Sequence, residues 1–535
     1  MRVSQTKTAM NQKGFLGFVE RVGNGLPDPV FIFFYLILIL VGVSIVCALA
    51  GVTAPHPTLT TADGSPLLLQ AQSLLSAENI QKLWVEMPKT FTHFHPLGYV
   101  LVVMLGAGVA ERSGLFASGI RQAVRNAPKG LLTPVVALVA MLSNHAADAG
   151  YVVMIPLAAI IFAAAGRHPM AGIAAAFAGV SGGFSANISP GQLDALLFGI
   201  TEAAMDASQI DAGWSMNIAG NWYFITALLV IYLPVIWWVT DKVIEPRLGE
   251  WTPTGDQAAA YGDESAPLTD DERKGLRWAG YAILGVCLVW ALMTFGPGTP
   301  LLNDEAAVDG QPWYVTATPF FRSLVAGFLV LFLAAGWAYG AAAGTIKTHR
   351  DLVDMMSEAM KDMGYYLVLA FAAAHFVAMF NWSNLGLITA VHGAGAIESS
   401  GLPLPIALGL IVIFAAFLNL FVGSASAKWA LLAPVLVPML LLLGISPEGA
   451  TATYRVGDAA TNIISPLMVY FPLVLIFAQR WQKDFGIGSL TAMMIPYSIW
   501  MLITGVLLVM GWILFGLPLG PGAPIGFDLG AVTGG

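Results

Sequence analysis

Apolar runs of about 20 residues recur along the whole sequence, and each is long enough to cross the roughly 30 Å hydrocarbon core of a bilayer as a helix. Of the 535 residues, 57% are hydrophobic and only 10% are charged, whereas about 25% of an average soluble domain is charged. A water-soluble fold of ordinary size cannot bury that much apolar surface. The sequence therefore predicts an all-α, polytopic membrane protein.

The apolar runs and the residues that interrupt them predict ten membrane helices. These lie near 28 to 50, 97 to 119, 131 to 165, 218 to 240, 278 to 296, 321 to 344, 364 to 381, 403 to 422, 427 to 444 and 489 to 515. Basic residues precede the first helix, within 2 to 21, and follow the second, within 121 to 129. Because basic residues collect on the cytoplasmic side of a membrane, 52 to 95 is predicted to lie outside.

The chain divides into two membrane halves joined by a polar linker. We predict a cytoplasmic N-terminal segment at 1 to 27, a first half at 28 to 249, a cytoplasmic linker at 250 to 275 and a second half at 276 to 535, in the bacterial inner membrane. The net charge of −8 argues against nucleic acid as a partner. Cys47 and Cys287 lie inside apolar runs, so neither a disulfide framework nor a cysteine metal site is predicted.

Two apolar segments, near 170 to 205 and near 448 to 478, are poorly suited to simple spanning helices. The first contains Gly179-Val-Ser-Gly-Gly183 and Ser185-Ala-Asn-Ile-Ser-Pro-Gly191, and the second contains Ala460-Thr-Asn-Ile-Ile-Ser-Pro466. Non-helical backbone at membrane depth is tolerated only where it is buried in protein or lines a wet cavity. Each segment is therefore predicted to be a re-entrant helical hairpin beside a binding site.

The two interrupted regions resemble each other. Without a gap, 148 to 169 aligns with 426 to 447, which matches Tyr151 with Trp429, Pro156 with Pro434, Gly166 with Gly444 and Pro169 with Pro447. Allowing three residues of slack, the match extends to Asn187 and Asn462. Paired broken helices in two halves of a chain are a pointer to the binding site of a secondary transporter. We therefore expect inverted repeats whose hairpins meet tip to tip.

Ionisable residues cluster in or beside the repeats, although a charge deep in a bilayer is unfavourable and usually faces a cavity or a partner. They are His145, Asp148, Asp194, Lys428, Arg455 and Asp458. Arg455 and Asp458 could form an ion pair within one helix. Alternatively, Arg455 offers its planar guanidinium to a substrate carboxylate, and Asp458 orients it or accepts a coupling ion. Asp194 is either a helix-start carboxylate or a proton or cation site.

Polar and aromatic residues near the predicted hairpin tips suggest further ligands. The side-chain carbonyls of Asn187 and Asn462 suit a sodium ion, or they cap the helix that follows. Ser426 adds an oxygen, and Trp429 either stacks on an aromatic substrate or is simply packed. Sodium is slightly favoured over a proton as the driving ion, because both tips offer neutral oxygens.

At these residues the chain resembles the AbgT family of bacterial p-aminobenzoyl-glutamate transporters, within the larger ion transporter superfamily. The motifs that carry the resemblance are Asp148-Ala-Gly-Tyr151, Ser185-Ala-Asn-Ile-Ser-Pro-Gly-Gln-Leu-Asp194, Ser424-Ala-Ser-Ala-Lys-Trp429 and Tyr454-Arg-Val-Gly-Asp-Ala-Ala-Thr-Asn462. The resemblance extends over nearly the whole chain.

The resemblance implies a homodimer whose protomers each have about nine transmembrane helices and two hairpins. It implies a sodium ion between the hairpins, uptake of p-aminobenzoyl-glutamate and export of sulfonamide antimetabolites. It also implies a substrate site formed by Asn187, Asp194, Ser426, Trp429, Pro447, Arg455, Asp458 and Pro466.

Three other functions compete with ion-coupled transport of an aromatic anion. A dicarboxylate carrier of the same superfamily is the nearest alternative, and a channel would not need two similar hairpins. An intramembrane hydrolase would need a zinc motif such as His-Glu-x-x-His, which the sequence does not contain. The direction of transport and the physiological substrate do not follow from the sequence.

Overall fold

The computed structural model describes residues 28–61, 63, 65–125, 128–146, 150–208, 210, 214, 217–251, 267–296, 298–302 and 316–527. The predicted N-terminal segment, Asp148 and most of the predicted linker therefore lie outside the described residues.

Helices dominate both halves of the chain. The first half contains α1 (Pro29–Leu49), α2 (Ala77–Thr92), α3 (His95–Arg112), α4 (Leu115–Arg125), α5 (Leu132–Leu142), α6 (Ile155–Ala164), α7 (Pro169–Phe177), α8 (Gln192–Ser208), α9 (Trp222–Trp238) and α10 (Glu245–Leu248). The second half contains α11 (Asp270–Phe295), α12 (Thr318–Arg322), α13 (Leu324–Ala343), α14 (His349–Asp362), α15 (Gly364–Trp382), α16 (Leu385–Ser399), α17 (Leu404–Asn419), α18 (Ala425–Leu442), α19 (Pro447–Asn462), α20 (Phe471–Trp481) and α21 (Ile487–Leu514).

The described part of the chain confirms a polytopic helical membrane protein. Eight of its helical segments are long and apolar enough to cross a membrane, and five shorter apolar helices accompany them. A small antiparallel ribbon, β1 (Thr53–Thr60) and β2 (Pro66–Gln70), lies in the segment predicted to be outside.

The predicted helices differ from the observed ones in several places. The span predicted at 131 to 165 is broken, because a tight turn at Ser143–Ala146 ends α5 and a wide helical turn at Gly150–Met154 precedes α6. The span predicted at 97 to 119 ends at Arg112, because Gly114 has a φ of +93°. Helices α14 and α16 were not predicted as spans, and α14 is amphipathic with an exposed charged face.

The first predicted hairpin consists of α7, a break and α8. Pro169 occupies the first turn of α7, where its missing N–H costs nothing, and Nδ1 of His168 accepts a hydrogen bond from the N–H of Met170. A wide turn, Ala178–Gly182, follows α7. Residues 183–191 then form no regular helix until α8 begins, so the predicted interruption is confirmed, whereas the return of the chain to the side from which it entered stays a prediction.

The second hairpin consists of α19, a break at 463–470 and α20. Ser446 caps α19 by accepting a hydrogen bond from the N–H of Gly449, and Pro447 occupies its first turn. Every residue of α19 is buried. A helix that carries ionisable residues yet has no exposed face must pair their charges inside the protein or keep those residues neutral.

The aligned glycine and proline residues have the same backbone geometry in both repeats. Gly166 and Gly444 have φ values of +78° and +81°, a left-handed conformation that strains any other L-residue. Three residues after each glycine, Pro169 and Pro447 begin the first arm of a hairpin. The Gly-x-x-Pro spacing therefore makes the same turn twice.

The two hairpins touch close to their breaks. A Cβ added to Gly182, at the end of the first arm of the first hairpin, would lie 3.4 Å from Cδ1 of Ile463 in the break of the second. Further along, Oγ1 of Thr201 in α8 lies 2.9 Å from Oγ1 of Thr451 in α19. The second arm of the first hairpin therefore packs against the first arm of the second.

Candidate functional site

Asp194 joins the two hairpins. Its Oδ1 pairs with Nη1 of Arg455 in α19 at 2.6 Å, and the two side chains are only 7% and 2% exposed. Its Oδ2 accepts a hydrogen bond from the N–H of Gly191 at 2.8 Å. The carboxylate thus holds the first turn of α8, as the helix-start interpretation predicts, and it also neutralises a guanidinium in the opposite hairpin.

Asp458 pairs with a different element. Its Oδ1 contacts Nζ of Lys428 in α18, and that ammonium also contacts Oδ1 of Asn419. The side-chain amide of Asn419 donates to the carbonyl oxygen of Asp458 at 2.6 Å and to Oδ1 of Asn462 at 2.8 Å. All four residues are buried. Asn419, which the sequence analysis did not identify, ties the end of α17 to the second hairpin.

The ion pair predicted within α19 is wrong, because Arg455 and Asp458 have partners on α8 and α18 instead. The two residues are three positions apart and share a side of the helix. Pairing them with each other would leave Asp194 and Lys428 buried without a counter-charge, and breaking a buried pair in this way costs about 3–5 kcal/mol. The crossed arrangement neutralises all four charges.

Trp429 is fully buried between the hairpins. Its ring lies 4.6 Å from that of Tyr454, measured between centroids, with an interplanar angle of 22°. Its Nε1 donates to Oγ1 of Thr201 at 2.9 Å. In this structure the indole therefore packs between α18, α8 and α19, and the stacking of Trp429 on a substrate stays a prediction.

A cavity of about 340 Å³ lies beside the hairpin breaks, and we call it the hairpin cavity. Its amide-bearing lining residues are Asn144, Gln192 and Asn462, and its aromatic lining residues are Tyr151, Phe184, Tyr366 and Tyr470. The rings of Tyr151 and Tyr470 stack on each other, with centroids 4.3 Å apart and an interplanar angle of 14°. Among the described residues that line the cavity, none is charged.

Two helix starts also line the hairpin cavity. Gln192 is the first residue of α8 and Ala425 is the first residue of α18. The N-terminus of a helix carries a partial positive charge and unpaired N–H groups, which favour an anion. Asp194 already accepts a hydrogen bond from Gly191 at the start of α8, and Ser424 accepts one from Ala427 at the start of α18. The cavity therefore combines aromatic walls with the N–H groups that remain at these two helix starts.

The predicted site residues lie at different distances from this cavity. Asn462 lines it directly, and Ser426 borders a narrow cleft that shares Leu196 and Tyr366 with it. The predicted residues that are not among the lining residues are Asn187, Asp194, Trp429, Pro447, Arg455, Asp458 and Pro466. Asp194, Arg455, Asp458 and Trp429 belong to the buried network between the hairpins, in which Nε of Arg455 has no hydrogen-bond partner. Pro447 begins α19, and Pro466 lies in the break of the second hairpin.

The sequence analysis missed several lining residues. Gln192 lies within the quoted Ser185 to Asp194 motif and could have been singled out as a polar residue beside a helix start. Tyr366 and Tyr470 carried no signal, because tyrosine is common in membrane helices and neither residue has a polar neighbour in the sequence.

The two tip asparagines do not cap the helices that follow them, so that alternative is wrong. Oδ1 of Asn187 accepts from the N–H of Ile188 at 3.0 Å, four residues before α8 begins. Oδ1 of Asn462 accepts from Asn419. Each amide oxygen has a second lone pair, which fits a sodium ligand. Among the described residues there is no group of three or more His, Cys, Asp or Glu that could hold a metal ion.

Comparisons with known proteins give one consistent result. The profile of a family described as "AbgT putative transporter family" matches residues 14–527. The p-aminobenzoyl-glutamate transport protein of Escherichia coli (strain K12) is 36% identical over 523 residues, which cover 98% of this chain and 99% of that protein.

Two solved structures have the same fold. The YdaH transporter of Alcanivorax borkumensis superposes with a TM-score of 0.83 at 41% identity and covers 92% of this chain and 100% of its own. MtrF of Neisseria gonorrhoeae superposes with a TM-score of 0.86 at 40% sequence identity, and the match covers 96% of this chain and 100% of the MtrF chain. The MtrF structure is described as illuminating a class of antimetabolite efflux pumps.

Proposed function

The chain belongs to the AbgT family of transporters and is a multi-pass protein of the bacterial inner membrane. We propose that it carries aromatic anions of the p-aminobenzoyl-glutamate class and that their transport is coupled to an ion gradient. The observation that supports the substrate class is the hairpin cavity. Its aromatic walls match an aryl ring, and the starts of α8 and α18 match carboxylate groups. Its volume of about 340 Å³ falls in the range of small-molecule sites.

The buried network between the hairpins supports a transport cycle rather than a static pore. Asp194 and Arg455 form a bond between two separate hairpins, so a relative movement of the hairpins breaks or re-forms a charged contact. Such a contact has two discrete states, as alternating access requires. Arg455 is then a candidate partner for a substrate carboxylate in another state of the cycle, with Asp194 released.

Uptake into proteoliposomes tests the proposal. Purified protein is reconstituted, and radiolabelled p-aminobenzoyl-glutamate is supplied under a sodium gradient, a proton gradient or neither. Accumulation that depends on one gradient and collapses with it supports coupled transport and excludes a channel. If uptake under every gradient is no greater than in protein-free liposomes, the proposal is wrong.

Competition experiments separate the substrate classes. An unlabelled aromatic amide should compete with the labelled solute, whereas succinate should not, because a short dicarboxylate cannot use the aromatic wall. Strong competition by succinate alone would favour a dicarboxylate carrier.

Export of antimetabolites, of which we propose sulfonamides as the class, is the second candidate function, and the description of the Neisseria gonorrhoeae relative as an antimetabolite efflux pump favours it. A sulfonamide also has an aromatic amine that fits between aromatic walls. Cells that lack the chain should become more sensitive to sulfonamide, and cells that express it should accumulate less of the labelled drug.

We also propose a homodimer, as the family resemblance implies. Helix α11 exposes a broad apolar face that includes Tyr281, Leu284 and Leu288, and such a face contacts either lipid or a second copy. The mass of the protein in detergent, with the detergent contribution subtracted, distinguishes one copy from two.

A further inference from the structure

Two buried polar atoms without a hydrogen-bond partner belong to residues that line the hairpin cavity. They are Nε2 of Gln192 and the hydroxyl oxygen of Tyr366. Almost all buried polar groups in proteins are hydrogen-bonded, and leaving one unpaired is unfavourable. Two such donors on one cavity are available to a molecule bound in it.

The two groups come from different structural elements. Gln192 is the first residue of α8, in the second arm of the first hairpin, whereas Tyr366 lies in α15. An amide nitrogen offers two hydrogen-bond donors and a phenolic hydroxyl offers one. Together they suit carbonyl and carboxylate oxygens of a solute that lies between the hairpin and α15.

The remaining walls suit the rest of such a solute. The stacked rings of Tyr151 and Tyr470 offer a flat aromatic surface, and aromatic rings prefer parallel-offset or edge contacts with one another. An aryl ring on this surface directs its acyl substituent toward neutral donors and helix starts.

The bond between Asp194 and Arg455 positions Gln192. Oδ2 of Asp194 accepts from the N–H of Gly191, and its Oδ1 is held by Arg455. The residue between Gly191 and Leu193 is Gln192 itself, so both bonds act on the turn that carries it. In the described conformation Arg455 therefore acts on the cavity through Asp194 and α8.

We propose that Gln192 and Tyr366 are solute-recognition residues, which donate hydrogen bonds to the acyl and carboxylate oxygens of an aromatic anion in the hairpin cavity. This proposal rests on the proposed function, since it assigns residues to the solute class given there.

Equilibrium binding of radiolabelled p-aminobenzoyl-glutamate to the purified full chain tests the proposal. Tyr366→Phe removes only the hydroxyl and should weaken binding roughly tenfold, as expected for one hydrogen bond to a charged or strongly polar acceptor. Gln192→Leu should weaken it by a similar factor. Gln192→Glu, which keeps the shape but adds a negative charge, should weaken it more than Gln192→Leu does.

Tyr232→Phe is the matched control. The hydroxyl of Tyr232 is also buried and without a partner, but Tyr232 does not line the cavity, so this substitution should leave binding unchanged. Thermal unfolding without solute should show no loss of stability for either Tyr→Phe variant, because each removes a polar atom that is unpaired in the resting protein.

The outcomes are distinguishable. If the parent protein binds p-aminobenzoyl-glutamate but Tyr366→Phe and Gln192→Leu bind it as tightly as Tyr232→Phe does, this proposal is wrong and the proposed function stands. If the parent binds none, both are wrong. A marked loss of stability in Tyr366→Phe without solute would show that the hydroxyl has a partner within the protein, which also overturns the proposal.

Discussion

The two hairpins share their turns but not their chemistry. In the first hairpin, the first arm is uncharged and the charged residues Asp194, Glu202 and Asp206 all lie in the second arm, α8. In the second hairpin the ionisable residues Glu448, Arg455 and Asp458 lie in the first arm, α19, and the second arm, α20, carries only Arg480 in its last turn. The charged arms are the two that face each other.

This difference shows how a repeated fold forms a single site. The matched left-handed glycines and helix-starting prolines reproduce the same backbone path twice. The side chains at the interface are complementary, since an acid on α8 meets a base on α19. An acid at the facing position on α19 would repel the acid on α8. The two repeats therefore share their backbone geometry but differ in the charges that they carry.

The sharpest test of this comparison removes the charge pair between the hairpins. Asp194→Asn or Arg455→Met alone should lower the free energy of unfolding by about 3–5 kcal/mol, because each leaves one buried charge unpaired. The double variant should lose much less than the sum of the two. Thermal or denaturant unfolding of the four proteins measures the coupling.

Asp206→Asn is the control for that cycle. Asp206 lies on the same arm and pairs with His95, but its side chain is 67% exposed, and exposed pairs contribute about 0–1 kcal/mol. Additive effects of Asp194→Asn and Arg455→Met would contradict the role of their bond as a link between the hairpins.

A second test targets the charge pair between α18 and the second hairpin. Lys428→Met should destabilise the protein by about 3 kcal/mol, because it leaves Asp458 buried with only neutral partners. Lys428→Met combined with Asp458→Asn should regain part of that loss. If Lys428→Met leaves the free energy of unfolding unchanged, the buried ammonium does not stabilise the contact between α18 and the second hairpin.

A third test addresses the shared turns. Gly166→Ala and Gly444→Ala should each destabilise the protein by about 1–2 kcal/mol, because both force an alanine into the left-handed region, and added methyl groups meet nothing closer than 3.7 Å. Equal losses support equivalent turns.

Gly395→Ala, in α16, supplies a control with the opposite sign. This glycine has ordinary helical geometry and open space around its added Cβ, so alanine should stabilise the helix by about 0.5–1 kcal/mol. Clearly unequal losses at Gly166 and Gly444 would break the equivalence of the two repeats.

The smallest expected effect concerns the tip asparagines. If sodium binds between the hairpins, replacing sodium with choline should weaken binding of p-aminobenzoyl-glutamate. Asn187→Ala should reduce this dependence on sodium by roughly threefold, because a water molecule replaces the lost amide oxygen at little cost in free energy. Asn462→Ala should do the same. Binding that responds to pH but not to sodium would assign the coupling to a proton instead.

Much of the fold could be predicted because its signals are local. Hydrophobic runs mark the spans, and clusters of glycine, proline and asparagine mark the breaks at 183–191 and 463–470. The amphipathic helix α14 and the ribbon of β1 and β2 escaped prediction, because neither is a long apolar run. The interruption of the span at 131 to 165 was missed because the polar stretch from Ser143 to Asp148 is short and long apolar runs precede and follow it.

The sequence by itself determined that this chain crosses a membrane repeatedly, that it contains two related interrupted helical segments and that ionisable residues gather around them. These properties depend on composition and on neighbours within a few positions. The partners of those residues were decided only by the tertiary structure: Arg455 has an acid three positions away, yet it pairs with Asp194, 261 positions away. Periodicity shows which residues share a face of a helix, but the packing of whole helices determines which faces meet, and a buried charge pairs with whatever that packing brings within reach.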